Sequence, residues 1–113
     1  MLDRSDFDSE TQFRQAAEPI LDALWDQIDE LDLDEAEPQR TPGSLVIQFE
    51  DDSVFMLSLQ TPVHELWLSA NYTAWHFLCE NGQWVERDSN EALLSVLSQL
   101  LSEKLKQRVL LTV

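Results

Sequence analysis

Glycine is almost absent from this chain: its 113 residues include only Gly43 and Gly82. A glycine-rich phosphate loop or a dinucleotide fingerprint is thereby excluded, because each needs several glycines to bring backbone against a phosphate. The single cysteine, Cys79, cannot form an internal disulfide and leaves no Cys-x-x-Cys pair for redox or zinc chemistry. It lies in an apolar stretch, which fits a reducing compartment. Basic residues are scarce, seven Lys and Arg against 22 Asp and Glu, and the net charge of −15 argues against nucleic acid as a partner. The only histidines, His64 and His76, are isolated, and read as ordinary surface or strand residues rather than a two-His metal pair. No window approaches a membrane span, and the opening MLDRSDFDSE has neither an apolar run nor the Arg-rich, acid-poor character of a transit peptide. A cytoplasmic protein is expected. No Ser/His/Asp or Cys/His arrangement is present either, so the residues support no catalytic activity.

Apolar residues are plentiful. They make up 43% of the chain, with four Trp and five Phe, too many for a disordered acidic tail, and the length suits one domain spanning 1–113. Acid is concentrated at one end. Thirteen of the 22 carboxylates fall in the first 37 positions, opposed only by Arg4 and Arg14, so this third carries a net charge of −11. The densest run, from Asp26 to Glu37, contains no cation at all.

Ser9-Glu10-Thr11-Gln12 has the spacing of a capping box, and Phe13, Ala17, Ile20, Leu24, Ile28 and Leu31 follow at steps of three and four. The pattern predicts an amphipathic helix over 10–31, with Pro19 either kinking it, the favoured outcome, or loosening its first turns. On its opposite side Glu18, Asp22, Asp26, Asp29 and Glu30 recur at helical spacing as one solvent-facing stripe, which runs on into Asp32 to Glu37. From Ser44 the period falls to two. Leu45 to Phe49 and Val54 to Leu59 predict a hairpin turning at Glu50 to Ser53, followed by strands over 63–69, 74–80 and 83–87, the last two joined by the type I′ signal Asn81-Gly82. Asp88-Ser89-Asn90 offer N-caps for a second helix over 91–106, whose leucines form a broad apolar face. The order predicts an α+β fold, a two-layer α/β sandwich with the N- and C-terminal helices on one face of an antiparallel sheet of five or six strands.

An acidic first helix, the segment Thr61-Pro62-Val63-His64-Glu65-Leu66-Trp67-Leu68-Ser69, then Trp75-His76-Phe77 and Trp84 after a hairpin turn, resemble the frataxin family, most closely its bacterial members. The resemblance covers nearly the whole chain. It implies an iron-binding protein of iron–sulfur cluster assembly, a regulator or iron chaperone that docks on the cysteine desulfurase and scaffold protein through its acidic ridge and sheet surface. It also implies a first strand near 35–41, here interrupted by Pro38. Carried over by helical register, Asp22, Asp26, Asp29, Glu30, Asp32 and Asp34 are the candidate iron ligands, with Glu50 as a contributor from the sheet.

Carboxylates without nearby His or Cys suit hard cations such as Fe²⁺ or Fe³⁺, and hold them weakly and with little discrimination. Asp32-x-Asp34 is not an EF-hand, since Glu37 stands where that loop needs Gly and Gly43 where it needs Glu. By strand alternation Leu66 and Leu68 point one way, with His64, and Trp67 the other, with Val63, Glu65 and Ser69. If the leucines face the helices, Trp67 lies on the open sheet face as an interface anchor, while Trp75, Phe77 and Trp84 are core. The predicted partner surface is Trp67, Glu65, Asp29, Glu30 and Asp32, on a monomer. Two rivals fit part of the pattern: a ferroxidase and iron store, which needs clustered ligands and oligomers, and an acidic mimic of nucleic acid, which leaves the Trp67 strand unexplained.

Overall fold

Ser9 opens the first helix. In the computed structural model, which describes residues 5–112, its Oγ accepts the Gln12 N–H at 3.2 Å, while the Gln12 side chain accepts the Asp8 N–H at 2.8 Å. The first bond satisfies a donor that the first turn leaves without a partner, and the second ties the residue before the cap to the same turn. Helix α1, Glu10–Glu30, then runs unbroken through Pro19, so its first turns are formed rather than loose. Pro19 and Gln15, whose carbonyl loses its helical donor, both lie on the exposed side, where the freed acceptor is open to solvent. Phe13, Ala17, Leu21, Leu24 and Ile28 are the buried stripe, so Leu21 rather than its half-buried neighbour Ile20 faces the core. Arg4, counted above against the N-terminal acid, lies outside the described residues.

Six strands follow: β1 Ala36–Thr41, β2 Ser44–Phe49, β3 Val54–Gln60, β4 Glu65–Ala70, β5 Thr73–Glu80 and β6 Gln83–Glu86. They form one antiparallel meander in chain order. Its register stacks the inward residues in rows, Ile47 beside Phe55, Leu57 beside Leu68 and Leu66 beside Phe77, all of them buried. Helix α2, Leu93–Leu105, adds Leu93, Leu97 and Leu101 to the same core, so both helices cover one face of the sheet and the other stays open.

Four details differ from the sequence expectations. Pro38 does not interrupt β1: at the edge of the sheet its missing N–H breaks no ladder, and it pairs with Ile47. The strand expected from Val63 begins only at Glu65, because Pro62 turns Thr61–Val63 into a 3₁₀ turn and His64 takes a left-handed φ of 56°. His64 is consequently not a strand residue; its ring stacks on Phe13 at 5.6 Å. β6 stops at Glu86, one residue before Arg87. Asp88-Ser89-Asn90 do not cap α2, whose N-cap is Ala92 without a side-chain bond. The Glu86 carboxylate accepts the N–H groups of Asp88 and Ser89 at 2.8 and 3.0 Å, its carbonyl accepts that of Asn90 at 2.8 Å, and Val85 then bridges to Ala92.

Both ends of the fold are tied down. The Asp6 carboxylate accepts N–H bonds from Asn81 and Gly82 at 2.9 and 2.8 Å, clipping the segment before α1 to the β5–β6 turn. Those backbone donors hold its carboxyl below the usual range. Cys79 beside it is buried, and burial first, then the Asp6 carboxylate, pushes its thiol up to about 11, an unreactive state. After α2 the chain doubles back between the helices. Val109 and Ser102 Oγ exchange two hydrogen bonds, the Leu111 N–H donates to Ser98 Oγ at 3.0 Å, and Gln27 of α1 brackets Thr112 from both sides.

Candidate functional site

The acidic stripe of α1 is divided by a residue of β1. Alternation puts Pro38 and Arg40 on the helix side of that strand, and from there Arg40 Nε donates to Asp22 Oδ1 at 3.0 Å and Nη2 to Glu18. The guanidinium is three-quarters or more covered, and also donates to the carbonyls of Thr41 and Ser44. Burial lowers its pKa, but the two carboxylates outweigh that and raise it. Asp22 is therefore already engaged through one oxygen, and the half of the stripe toward the N-terminus is partly neutralised, its two carboxylates sharing one guanidinium.

Beyond Asp22 the acid has no counter-ion among the described residues. Asp26, Asp29, Glu30, Asp32 and Asp34 are all exposed, and no described cation pairs with them. Leu31 caps helix α1 after Glu30, its N–H donating to Ile28 O, and Asp32 turns the chain with a φ of 49°. This corner brings Asp29, Asp32 and Asp34 together with Glu37 around a shallow depression floored by Leu33, Ala36 and Pro38. Glu50 is placed elsewhere. Its N–H donates to Glu35 O at 3.1 Å, and it borders a neighbouring groove that also contains Lys104 and Lys106. Lys104 spans this end of the sheet, 2.6 Å from Asp51 Oδ2 and 5.2 Å above the Phe49 ring. The ammonium, with Ser53, holds the Asp51 carboxyl well below the usual range.

Among the described residues, no three His, Cys, Asp or Glu groups converge as a metal cage. The ridge is a row of separate carboxylates. Chemically it suits a hard cation held by one or two oxygens and its own water, or a basic protein surface.

On the open sheet face, Trp67 is half-buried, with Ser58 and His76 as its cross-strand neighbours. Its Nε1–H donates to Glu65 Oε1 at 2.8 Å, and the His76 ring meets the indole edge-on with centroids 4.7 Å apart. Phe77 and Trp84 are core, as alternation predicted, and Trp75 packs partly buried against it. Glu65 is not a surface acid: it is buried, and Arg87 Nη1 also reaches it at 3.5 Å. Glu86 is buried as well. Burial would raise its carboxyl, but N–H donors from Ser89, Asp88 and His76 more than offset this and hold it below the ordinary value. Around Trp67 the face carries Ser58, Ser69, Gln60 and Met56 rather than exposed carboxylates.

Sequence reasoning missed Arg40, Glu86 and the Lys104 clamp. For Arg40 a signal existed: with β1 read straight through Pro38, alternation from Ala36 already aims Arg40 at the helix layer.

A family model described as the frataxin-like domain matches residues 6–107. Among curated proteins, the iron-sulfur cluster assembly protein CyaY of Ralstonia pickettii is 35% identical over 101 residues, covering 85% of this chain and 88% of its own. That of Ralstonia nicotianae is 37% identical over 76 residues, 67% of this chain and 66% of its own. Among solved structures, the frataxin from Psychromonas ingrahamii superposes with a TM-score of 0.85 at 23% identity, over 93% of this chain and 99% of that one. Two helices on one face of a six-stranded meander, an acid-rich first helix and a family match over nearly its whole length make this chain a member of the frataxin family.

Proposed function

We propose that this protein serves iron–sulfur cluster assembly as a regulator or iron chaperone without catalytic activity of its own. It docks on the basic surface of a cysteine desulfurase and its scaffold protein through the acidic corner, with Trp67 as the apolar anchor. One observation carries the reading: the carboxylates from Asp26 to Asp34 are exposed and pair with no cation among the described residues, while Glu18 and Asp22 of the same helix share Arg40. Charge left uncompensated on one side of a folded domain attracts an external cation. Iron is the cargo, held reversibly by Asp26, Asp29, Glu30, Asp32 and Asp34, and it competes with the partner for the same charge. Asp22 already accepts from Arg40 through Oδ1, and Glu50 borders a different groove, with Lys104 and Lys106, from the one that Asp29 lines.

Charge reversal at Asp29, Glu30 and Asp32 to Lys tests the docking. Affinity for a purified bacterial cysteine desulfurase should fall, and the gap from wild type should widen as salt is lowered, because screening acts within about 8 Å at physiological ionic strength. Equal binding by the two proteins would refute the reading. For the cargo, an anaerobic Fe²⁺ titration followed by amide NMR should perturb residues 26–34 and spare Glu18 and Asp22.

A further inference from the structure

A carboxylate on the open face of a sheet ordinarily stands in water, yet Glu65 is only 7% exposed. It sits on the face away from the helices, two residues before Trp67, between the cross-strand neighbours Gln60 and Leu78. Its cover includes the Trp67 indole, which leans back along the strand so that Nε1–H meets Glu65 Oε1 at 2.8 Å. Arg87 Nη1 approaches the same oxygen at 3.5 Å. On its other side the ring abuts His76 at 78° and 4.7 Å, and the His76 backbone N–H is itself held by the Glu86 carboxylate at 3.1 Å. Swinging the indole away would strip a buried carboxylate of its shortest donor and open the contact with His76. The ring is held in one orientation, and its only polar group is used inside the protein.

We propose that Glu65 is a positioning residue: it fixes the Trp67 indole on the open face so that a partner meets the ring's carbon surface, and it makes no partner contact itself. This rests on the docking reading above and replaces Glu65 as a contact residue within it. An indole whose N–H is spent offers only its π-face and edges. The matching group on a basic partner is the side chain of an Arg or Lys laid on the ring, its aliphatic stem and charge both favoured there. Holding the ring in place before docking removes the need to order it during docking.

The test has one arm without a partner and one with it. In the free protein, Glu65→Ala should move the Trp67 indole N–H resonance and speed its solvent exchange by tenfold or more. The Trp25 indole, which donates to Pro38 O at 3.2 Å, should stay unchanged, and Glu65→Gln, which keeps an acceptor, should stay near wild type. With purified bacterial cysteine desulfurase, Glu65→Ala should weaken binding about five- to tenfold and Glu65→Gln less than twofold, while Trp67→Ala with Glu65→Ala should bind no worse than Trp67→Ala alone. An unmoved Trp67 indole in Glu65→Ala would overturn the positioning role, and losses that multiply in the double variant would show that Glu65 acts independently of the ring. If Glu65→Ala frees the indole but Trp67→Ala binds like wild type, the docking reading fails, and the Glu65 bond serves the fold alone.

Discussion

Leu110 and Leu111 are adjacent, chemically identical and opposite in exposure, 70% against 4%. The strap after α2 seats Leu111 in the core beside Val109, with its N–H given to Ser98 Oγ in a buried bond. Leu111→Ala removes that buried surface and leaves a void. Buried Leu→Ala changes cost about 2–5 kcal/mol, and a site near a chain end can partly collapse, so the expected loss is about 2–3 kcal/mol. For a domain of this size that lowers Tm by roughly 10 °C. Leu110→Ala should change stability by less than about 0.5 kcal/mol. Ser98→Ala leaves the Leu111 N–H buried without its acceptor and should cost about 1–3 kcal/mol. Because Ser98 and Leu111 hold the same strap, the double variant should lose less than the sum by about 1 kcal/mol. Urea unfolding with an unchanged m-value measures all four. If the Leu111 and Leu110 variants lose equally little, the strap is not seated between the helices and its share of the stability is wrong.

Three further outcomes follow from the contacts around the site. Glu86→Gln should cost about 1–3 kcal/mol at pH 7, since three backbone donors lose a charged acceptor. The Glu86 carboxyl lies below its ordinary value of 4.5 in the folded protein, so its contribution is complete above pH 4.5 and disappears as pH falls through the folded value. Denaturation of wild type and variant should accordingly converge in acid and stay apart at neutral pH. Arg40→Ala should cost about 1–2 kcal/mol, its two charge-assisted bonds being discounted because Glu18 and Asp22 are open to solvent, and 1 M salt should shrink the difference in a melting curve. Tyr72→Gly should stabilise by about 0.5–1 kcal/mol by calorimetry. Asn71 and Tyr72 form the β4–β5 turn with φ of 51° and 63°, where a tyrosine is strained and its exposed ring has little packing to lose.

Local rules carried most of the fold. The capping box at Ser9, the three-and-four spacing of α1, the period of two from Ser44 and the Asn81-Gly82 turn each act within a few residues, so order and sequence alone sufficed to predict two helices on a meander. The acid of the ridge was equally plain, because charge is a property of composition. Which carboxylates remain available was decided by tertiary structure. Arg40 is 18 residues from Asp22 in the chain and reaches it only because β1 pairs at the sheet edge under α1. Glu50, counted with the ridge by charge, is carried round the corner by the β2–β3 turn. Alternation correctly put Glu65 beside Trp67 on the open face, but its burial depends on the indole folding back over it and on Arg87 arriving from beyond β6. Periodicity says which side of an element a residue occupies. Whether that residue is paired, covered or left to a partner depends on what the rest of the chain brings against it, which no local pattern encodes.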